Sequence, residues 1–231
     1  MPTPRLFSQI GIVATVLSLH VRAPIARFLS PAINKVAKSN ISPDALTVIG
    51  TVGTCTAALY FYPHGNFFWG TVVVTVFVLL DLVDGLLARA KGTSSMWGAF
   101  LDSTLDRVGD GAIFSALAIW FARDGRSLPL MCAALFCLVF GAVTSYSKAR
   151  AESLGMTCNV GFAERAERLI AILVATGISG LGVPYLLPTA LWALCAATAI
   201  TVVQRLVEVY RQASALGDVA PPPPSTAVKK G

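Results

Sequence analysis

The sequence predicts an all-α integral membrane protein, with six transmembrane helices preceded by an N-terminal amphipathic helix that lies at the membrane interface. Composition is the first observation: 55% of the 231 residues are hydrophobic, only 13% are charged, and the mean hydropathy is +0.70. A soluble domain usually carries about 25% charged residues. The second observation is a series of six long apolar runs, and the third is a one-sided distribution of basic residues.

The N-terminal segment, residues 1–44, is predicted to be a cytoplasmic juxtamembrane segment. Its apolar run from Ile10 to Leu19 is short, and no small-residue cleavage site follows it. His20, Arg22 and Arg27 then alternate with apolar residues. This pattern favours a helix lying on the membrane surface over a cleaved signal peptide.

The central segment, residues 45–211, is predicted to be one six-helix domain. Each apolar run is close to the length of about 20 residues that a spanning helix needs. Residues 212–231 contain Pro221–Pro224 and end in Lys229 and Lys230, which predicts a disordered tail. The six predicted spans are Ala45–Tyr62, Phe67–Leu87, Asp102–Ala122, Leu128–Ser147, Leu169–Leu187 and Thr189–Val209.

The basic residues predict the orientation of the chain. Six spans place both termini on the same side, and all of the 18 Lys and Arg residues except Arg123 and Arg126 fall on or near that side. Because cytoplasmic loops of membrane proteins are enriched in Lys and Arg, both termini are predicted to be cytoplasmic. We expect a multi-pass protein of the cell membrane, in contact with lipid and without a nucleic-acid partner.

Carboxylates stand out against this apolar background. Asp81 and Asp84 lie near the end of the second run, while Asp102 and Asp106 lie at the start of the third. Helical periodicity places the members of each pair about 60° and 40° apart on one face. A short link makes the two helices antiparallel neighbours, so both pairs reach the same depth. Four converging carboxylates predict hard divalent cations, Mg²⁺ or Mn²⁺, and two ions balance their charge.

Helix capping and solvation at the interface account for only part of this acidic pattern. They explain Asp110, or Asp102 alone, but not two spaced pairs beside a basic link. A cation transporter is an alternative function, but it predicts charges near the bilayer midplane rather than at one interface.

The segment from Asp81 to Asp106 resembles the signature of the CDP-alcohol phosphotransferase family. The pattern D-x2-D-G-x2-A-R-x8-G-x3-D-x3-D is complete, since Gly85, Ala88, Arg89 and Gly98 accompany the four aspartates. The resemblance implies six transmembrane helices, a homodimer, a cytoplasmic active site and two bound metals. It also implies an enzyme that transfers the phosphatidyl group of CDP-diacylglycerol to an alcohol and releases CMP.

The same resemblance implies roles for individual residues. Asp81, Asp84 and Asp102 are expected to bind metal, and Asp106 is expected both to bind metal and to take the proton of the attacking hydroxyl as general base. Gly85 lacks a side chain, so a nucleotide can approach the backbone there. The residues expected at the CDP-diacylglycerol are Asp44, Thr47, Gly85, Arg89 and Ser95. The alternative role for Asp44 is to cap a helix, and the alternative role for Gly85 is to allow close helix packing.

The link between the fourth and fifth runs indicates which alcohol is accepted. Lys148, Arg150, Arg165 and Arg168 lie within it, and arginine suits bidentate contacts with phosphate. Topology alone, or ion pairs with nearby glutamates, would also account for these charges. A free polyol needs no cationic pocket, whereas a phosphorylated alcohol does.

These stretches, K-A-R-A-E and E-R-A-E-R, are similar to the actinobacterial branch of the family, whose acceptor is inositol 1-phosphate. The product would be phosphatidylinositol phosphate. The residues expected to bind inositol phosphate by this resemblance are Ser145, Lys148, Arg150, Arg165, Arg168 and Arg205. Glycerol 3-phosphate is also a phosphorylated alcohol, so a phosphatidylglycerophosphate synthase is the nearest alternative.

Overall fold

A computed structural model describes residues 42–90 and 95–216, with side chains left out for 82–90 and for Leu216. Six α-helices lie in these residues, with a short 3₁₀ turn at Tyr62–His64 after the first. Their bounds are α1 Pro43–Phe61, α2 Phe67–Ala90, α3 Met96–Arg123, α4 Leu128–Ser153, α5 Arg165–Ser179 and α6 Leu186–Leu216. The amphipathic helix predicted within residues 1–44 and the tail beyond residue 216 lie outside the described residues.

The helix starts follow local sequence signals. Ser42 precedes α1, accepts a hydrogen bond from the Ala45 amide at 3.2 Å, and is followed by Pro43 at the first helical position. Ser95 caps α3 in the same way, because its hydroxyl accepts from the Gly98 amide at 2.9 Å. Asp44 lies inside the first turn of α1, so the alternative that Asp44 caps this helix is wrong.

The fifth helix differs from its predicted extent. The span predicted at 169–187 begins earlier, at Arg165, and ends at Ser179. A turn follows in which Gly182 has a φ of +100°, a conformation that favours glycine. The α5 helix is therefore about 22 Å long, while α6 begins at Leu186 and continues to Leu216, into the segment predicted as tail.

The helices pack as a bundle in which α1 contacts α2 and α3, and α4 contacts α3 and α6. The α5 helix packs against α2 and α6. The bundle centre is apolar and includes Tyr62, Ile113, Leu117, Ile172 and Leu191, all almost fully buried. This arrangement brings α2, α3 and α5 together at the end of the bundle where the aspartates lie.

The outer surface is apolar too. Among the described residues, three helical stretches are long and apolar enough to cross a membrane: Pro43–His64, Leu128–Ser153 and Leu186–Ala215. Large apolar side chains such as Trp69, Val139 and Val203 are more than half exposed. Such a surface matches a lipid environment, because soluble monomers rarely expose large contiguous apolar patches. The described chain is therefore an all-helical membrane protein.

Candidate active site

Three carboxylates meet where the end of α2 lies beside the start of α3. Asp81 comes from α2, while Asp102 and Asp106 come from α3, and one oxygen of each lies within 4.8 Å of the others. Asp102 is exposed, whereas Asp81 and Asp106 are partly buried. Asp84 lies on α2 in the part whose side chains are outside the description, so its predicted place in the cluster stays a prediction.

Local packing explains how the two helices present these groups together. Gly50 of α1 faces α2, where an added Cβ would lie only 3.1 Å from the Asp81 Cβ and 3.2 Å from the Phe77 carbonyl oxygen. The absence of a side chain at residue 50 therefore allows α1 and α2 to approach closely at Asp81. On the other side, the Ser95 cap fixes the start of α3, and hence the turns that carry Asp102 and Asp106.

A basic side chain from α5 lies against this cluster. The Arg165 Nη1 atom is 2.8 Å from Asp106 Oδ1, and its Nε donates to Asp110 Oδ1 at 3.2 Å. Arg107 lies on the other side of Asp106, with 3.7 Å between Nη1 and Oδ2. Asp106 thus has a cation next to each of its two oxygens.

Arg168 lies one turn further along α5 and is nearly inaccessible, with 3% of its side chain exposed. Its Nη1 donates to the Ala163 carbonyl at 3.0 Å, and its Nη2 lies 3.4 Å from Asp110 Oδ2. Gly141 of α4 provides room, since a Cβ there would be 3.3 Å from the Arg168 Nε. Nε itself is buried and has no hydrogen-bond partner among the described residues.

The other residues predicted for the acceptor occupy varied positions. Arg205 of α6 is 3% exposed and donates to the carbonyls of Val160 and Thr144, which ties the α4–α5 link to the bundle. Ser145 donates to the Gly141 carbonyl at 3.3 Å. Lys148 is half-buried, while Arg150 is exposed and lies 3.4 Å from the Ser153 hydroxyl.

The residues predicted for the nucleotide lie partly within the described structure. Thr47 is buried in α1, and its hydroxyl donates to the Pro43 carbonyl at 3.2 Å. Asp44 lies beside the start of α3, since a Cβ at Gly98 would be 3.4 Å from Asp44 Oδ1. Ser95 is the cap of α3, so part of its bonding capacity is already used. Gly85 and Arg89 lie on α2 in the part without described side chains.

A cleft lies between Asp81 of the carboxylate cluster and Arg165 of α5. Its walls come from α1, α2, α3 and α5, and its polar lining includes Asp81, Asp110, Arg165 and Thr54. Asp81 of the carboxylate cluster and Arg165 of α5 therefore face a common space. Oxygen ligands on two rigid helices match the preference of a hard divalent cation, so the donor set fits Mg²⁺ or Mn²⁺.

Asp110 is the site residue that sequence reasoning missed. It lies well inside α3, so its assignment as a helix cap is wrong, and both of its oxygens face arginines of α5. The available signal was its spacing of four residues from Asp106, which continues the face that carries Asp102 and Asp106.

Comparison with known proteins agrees with this site. The CDP-alcohol phosphatidyltransferase family matches residues 40–204, and the chain belongs to that family. The predicted family resemblance is confirmed.

Individual relatives carry a more specific name. The chain is 49% identical over 211 residues to the phosphatidylinositol phosphate synthase of Streptomyces avermitilis, covering 88% of this chain and 86% of the relative. It is 45% identical over 200 residues to the enzyme of that name from Cutibacterium acnes, covering 83% and 97%.

Solved structures of the Mycobacterium tuberculosis phosphatidylinositol phosphate synthase have the same fold. The crystal structure with CDP-diacylglycerol bound superposes with a TM-score of 0.78 at 41% identity, covering 84% of this chain and all of that one. The structure in complex with manganese and citrate has a TM-score of 0.74 at 42% identity, covering 85% and 92%.

Proposed function

We propose that this chain is a phosphatidylinositol phosphate synthase, which transfers the phosphatidyl group of CDP-diacylglycerol to inositol 1-phosphate. The observation that carries the proposal is the position of Arg165, 2.8 Å from Asp106 and in the cleft that Asp81 also lines. A cation for a phosphorylated acceptor therefore lies beside the carboxylate that would accept the proton. The names and the high coverage of the relatives support the same activity.

In the proposed reaction, an inositol hydroxyl attacks the phosphorus that carries the diacylglycerol. A new P–O bond to inositol forms, the P–O bond to CMP breaks, and CMP leaves with the electron pair. Asp106 takes the hydroxyl proton as attack proceeds, because an alcohol barely ionises at neutral pH. Because Asp106 lies beside Arg165, it favours an acceptor whose phosphate is bound by the α5 arginines while its hydroxyl points to Asp106.

Asp81, Asp84, Asp102 and Asp106 would hold two divalent ions, Mg²⁺ or Mn²⁺. When bound, such ions neutralise the charge that develops on pyrophosphate oxygens. The support on this chain is the three oxygens within 4.8 Å, and the manganese in a relative's structure supports a divalent ion of this kind. Asp44, Thr47, Gly85, Arg89 and Ser95 would bind the CDP part of the donor, where Asp44 and Ser95 both lie beside the start of α3.

The acceptor phosphate would be bound by the basic side chains of the α4–α5 link and its neighbours. Arg165 and Arg168 lie nearest to the carboxylates, and the buried Nε of Arg168 keeps a donor without a protein partner among the described residues. Arg205 would act from α6 at the same link. The complete proposed set is Ser145, Lys148, Arg150, Arg165, Arg168 and Arg205.

The proposal extends to the surroundings of the site. All six helices would cross the cell membrane, with both termini and the active site in the cytoplasm, and residues 1–44 would contribute an interfacial helix. The enzyme would act as a homodimer. The domain would occupy residues 45–211, with α6 continuing five residues beyond that limit.

The test is CMP release by the purified protein in detergent, with CDP-diacylglycerol, Mn²⁺ or Mg²⁺, and a panel of acceptors. We expect turnover with inositol 1-phosphate and little with free inositol, because free inositol gives the arginines no anion to bind. Turnover with glycerol 3-phosphate but not inositol 1-phosphate would refute the acceptor. An absence of CMP with every acceptor would refute the enzyme.

A further inference from the structure

We propose that Asp110, which lies outside the family signature, is a positioning residue that sets the two α5 arginines for the acceptor phosphate. The inference rests on the proposed function, since it assigns a role within the same acceptor site. Asp110 itself would touch neither substrate. It would act through Arg165 and Arg168, both of which it holds with a separate oxygen.

The two oxygens of the Asp110 carboxylate contact arginines on two successive turns of α5. Oδ1 accepts from Arg165 Nε at 3.2 Å, and Oδ2 lies 3.4 Å from Arg168 Nη2. Asp110 is 16% exposed, so water competes little for these oxygens. One rigid group on α3 therefore fixes the spacing between the two guanidinium groups.

The partners of Arg165 show why this spacing matters. Its Nε faces Asp110, while its Nη1 faces Asp106 at 2.8 Å, so two carboxylates one turn apart on α3 set its orientation. Without Asp110, the guanidinium would turn towards Asp106 alone. Asp110 thus holds the Arg165 guanidinium group parallel to α3, between Asp106 and Asp110. In this orientation the remaining N–H groups of Arg165 are available to an incoming phosphate.

The burial of Arg168 makes the dependence stronger. Arg168 is 3% exposed, and among the described residues it forms one ion pair, which is with Asp110. A buried charge that loses its partner is strongly destabilised and moves towards other anions or water. Removing the charge of Asp110 should therefore displace Arg168 as well as Arg165.

The same contacts separate Asp110 from the metal cluster. Its spacing continues the row of Asp102 and Asp106 along α3, so it could serve as a further metal ligand on spacing alone. However, it lies outside the group of Asp81, Asp102 and Asp106 whose oxygens converge. Its ion pairs among the described residues are with Arg165 and Arg168. At saturating metal, its effect should therefore fall on the acceptor and not on the donor.

The experiment compares Asp110→Asn with the wild-type enzyme, using CMP release while inositol 1-phosphate and CDP-diacylglycerol are titrated in turn at saturating Mn²⁺. Asparagine keeps the size of the side chain but removes the charge that both arginines need. We expect the KM for inositol 1-phosphate to rise roughly tenfold or more, as for the loss of one partner of a buried charge pair. The KM for CDP-diacylglycerol should stay within about twofold, because Asp110 contacts no group assigned to the donor.

Two further variants control the comparison. Asp124→Asn removes an exposed aspartate at the other end of α3, which forms no ion pair among the described residues, and should leave both KM values unchanged. Asp110→Glu keeps the charge but moves it, so its acceptor KM should lie between those of the wild type and Asp110→Asn. If Asp110→Asn does not fold, as judged by thermal unfolding, Asp110→Glu carries the test.

An unchanged acceptor KM in the folded variant would overturn the inference. So would a loss of kcat or thermal stability with both KM values unchanged, since that result describes a residue that only supports the fold. The wild-type acceptor panel separately tests the proposed function. If glycerol 3-phosphate proves to be the acceptor, the proposed acceptor fails, and the variants are compared with glycerol 3-phosphate, whose phosphate would need the same two arginines.

Discussion

Gly50 provides a test of how helix packing sets the position of a metal ligand. In the structure α1 approaches α2 at this residue, and Asp81 lies directly opposite. The substitution Gly50→Ala adds one methyl group at the contact and changes no charge, no hydrogen-bonding group and no residue of the signature. A change in metal dependence would then report a displacement of α2 at the level of Asp81.

The distances give the size of the effect. The new Cβ would lie 3.1 Å from the Asp81 Cβ, 3.2 Å from the Phe77 carbonyl oxygen and 3.3 Å from the Asp81 amide nitrogen. Carbon atoms in contact prefer separations of about 3.5–4.0 Å, so α2 must shift by a few tenths of an ångström. Two of the three opposing atoms are backbone, so a rotamer change cannot relieve the contact.

Two opposing terms decide stability, and the unfavourable one is equal or larger. Overpacking costs about 1–3 kcal/mol, while replacing glycine within a helix by alanine returns about 1 kcal/mol. The protein should therefore still fold, with an equal or reduced melting temperature. The site is less tolerant, since functional geometry must be held within about 0.5 Å. Mutation of a group that supports a metal ligand typically lowers metal affinity about 10- to 100-fold. Gly50→Ala shifts the ligand helix by less than such a mutation. We therefore expect the Mn²⁺ concentration that gives half-maximal activity to rise about fivefold to tenfold.

The assay is CMP release as a function of Mn²⁺ at fixed, saturating substrates, with thermal unfolding measured in parallel. Gly111→Ala is the matched control, because it also replaces a glycine within a helix but would place its Cβ 3.8 Å from the nearest atom, the Leu138 Cδ1. That distance is an ordinary contact with a flexible side chain. The control should show wild-type metal dependence and equal or slightly higher stability. Equal Mn²⁺ dependence in both variants would refute the reasoning.

Three further outcomes are expected from the site. Asp106→Asn should lower turnover by roughly 100-fold or more, because the general base is lost. CDP-diacylglycerol should still raise the melting temperature of this variant. Turnover near the wild-type rate would show that Asp106 is not the general base. Chelation with EDTA should stop CMP release, and excess Mn²⁺ or Mg²⁺ should restore it; activity that persists after chelation would contradict the metal assignment. Arg168→Ala should raise the KM for inositol 1-phosphate far more than that for the donor, whereas Arg123→Ala, exposed at the other end of α3, should change neither.

Sequence spacing predicted the features that depend on one helix or on two adjacent helices. The positions of Asp81, Asp102 and Asp106 follow from helical periodicity and from a short link, so their convergence could be expected. The Ser95 cap, in contrast, was predicted only as a nucleotide contact. Its hydroxyl is the acceptor for the Gly98 amide, and a propensity rule for helix starts would have indicated that role.

Features that depend on distant helices were not accessible in this way. Arg165, Arg168 and Arg205 are equivalent as basic residues near one interface, yet the structure gives them an exposed fraction of 29%, 3% and 3%. Their partners come from α3, α4 and the link before α5, which meet only in the folded bundle. The span predicted as Leu169–Leu187 runs past the end of α5 at Ser179, because hydropathy continues across the glycine-containing turn that stops the helix.

The three aspartates at intervals of four residues on α3 show how one repeated pattern acquires two functions. Asp102 and Asp106 face Asp81 on α2, whereas Asp110 faces Arg165 and Arg168 on α5. Periodicity places all three on one side of α3, but the neighbour at each level determines whether a carboxylate meets other carboxylates or guanidinium groups. Like charges brought together need a cation. Asp106 meets this condition because its oxygen converges with those of Asp81 and Asp102, even though it also contacts Arg165 and Arg107. Asp110 lies outside that convergence, and two arginines compensate its charge. The boundary between the proposed metal site and the proposed acceptor site therefore falls between Asp106 and Asp110, and Arg165 lies across it because it contacts both.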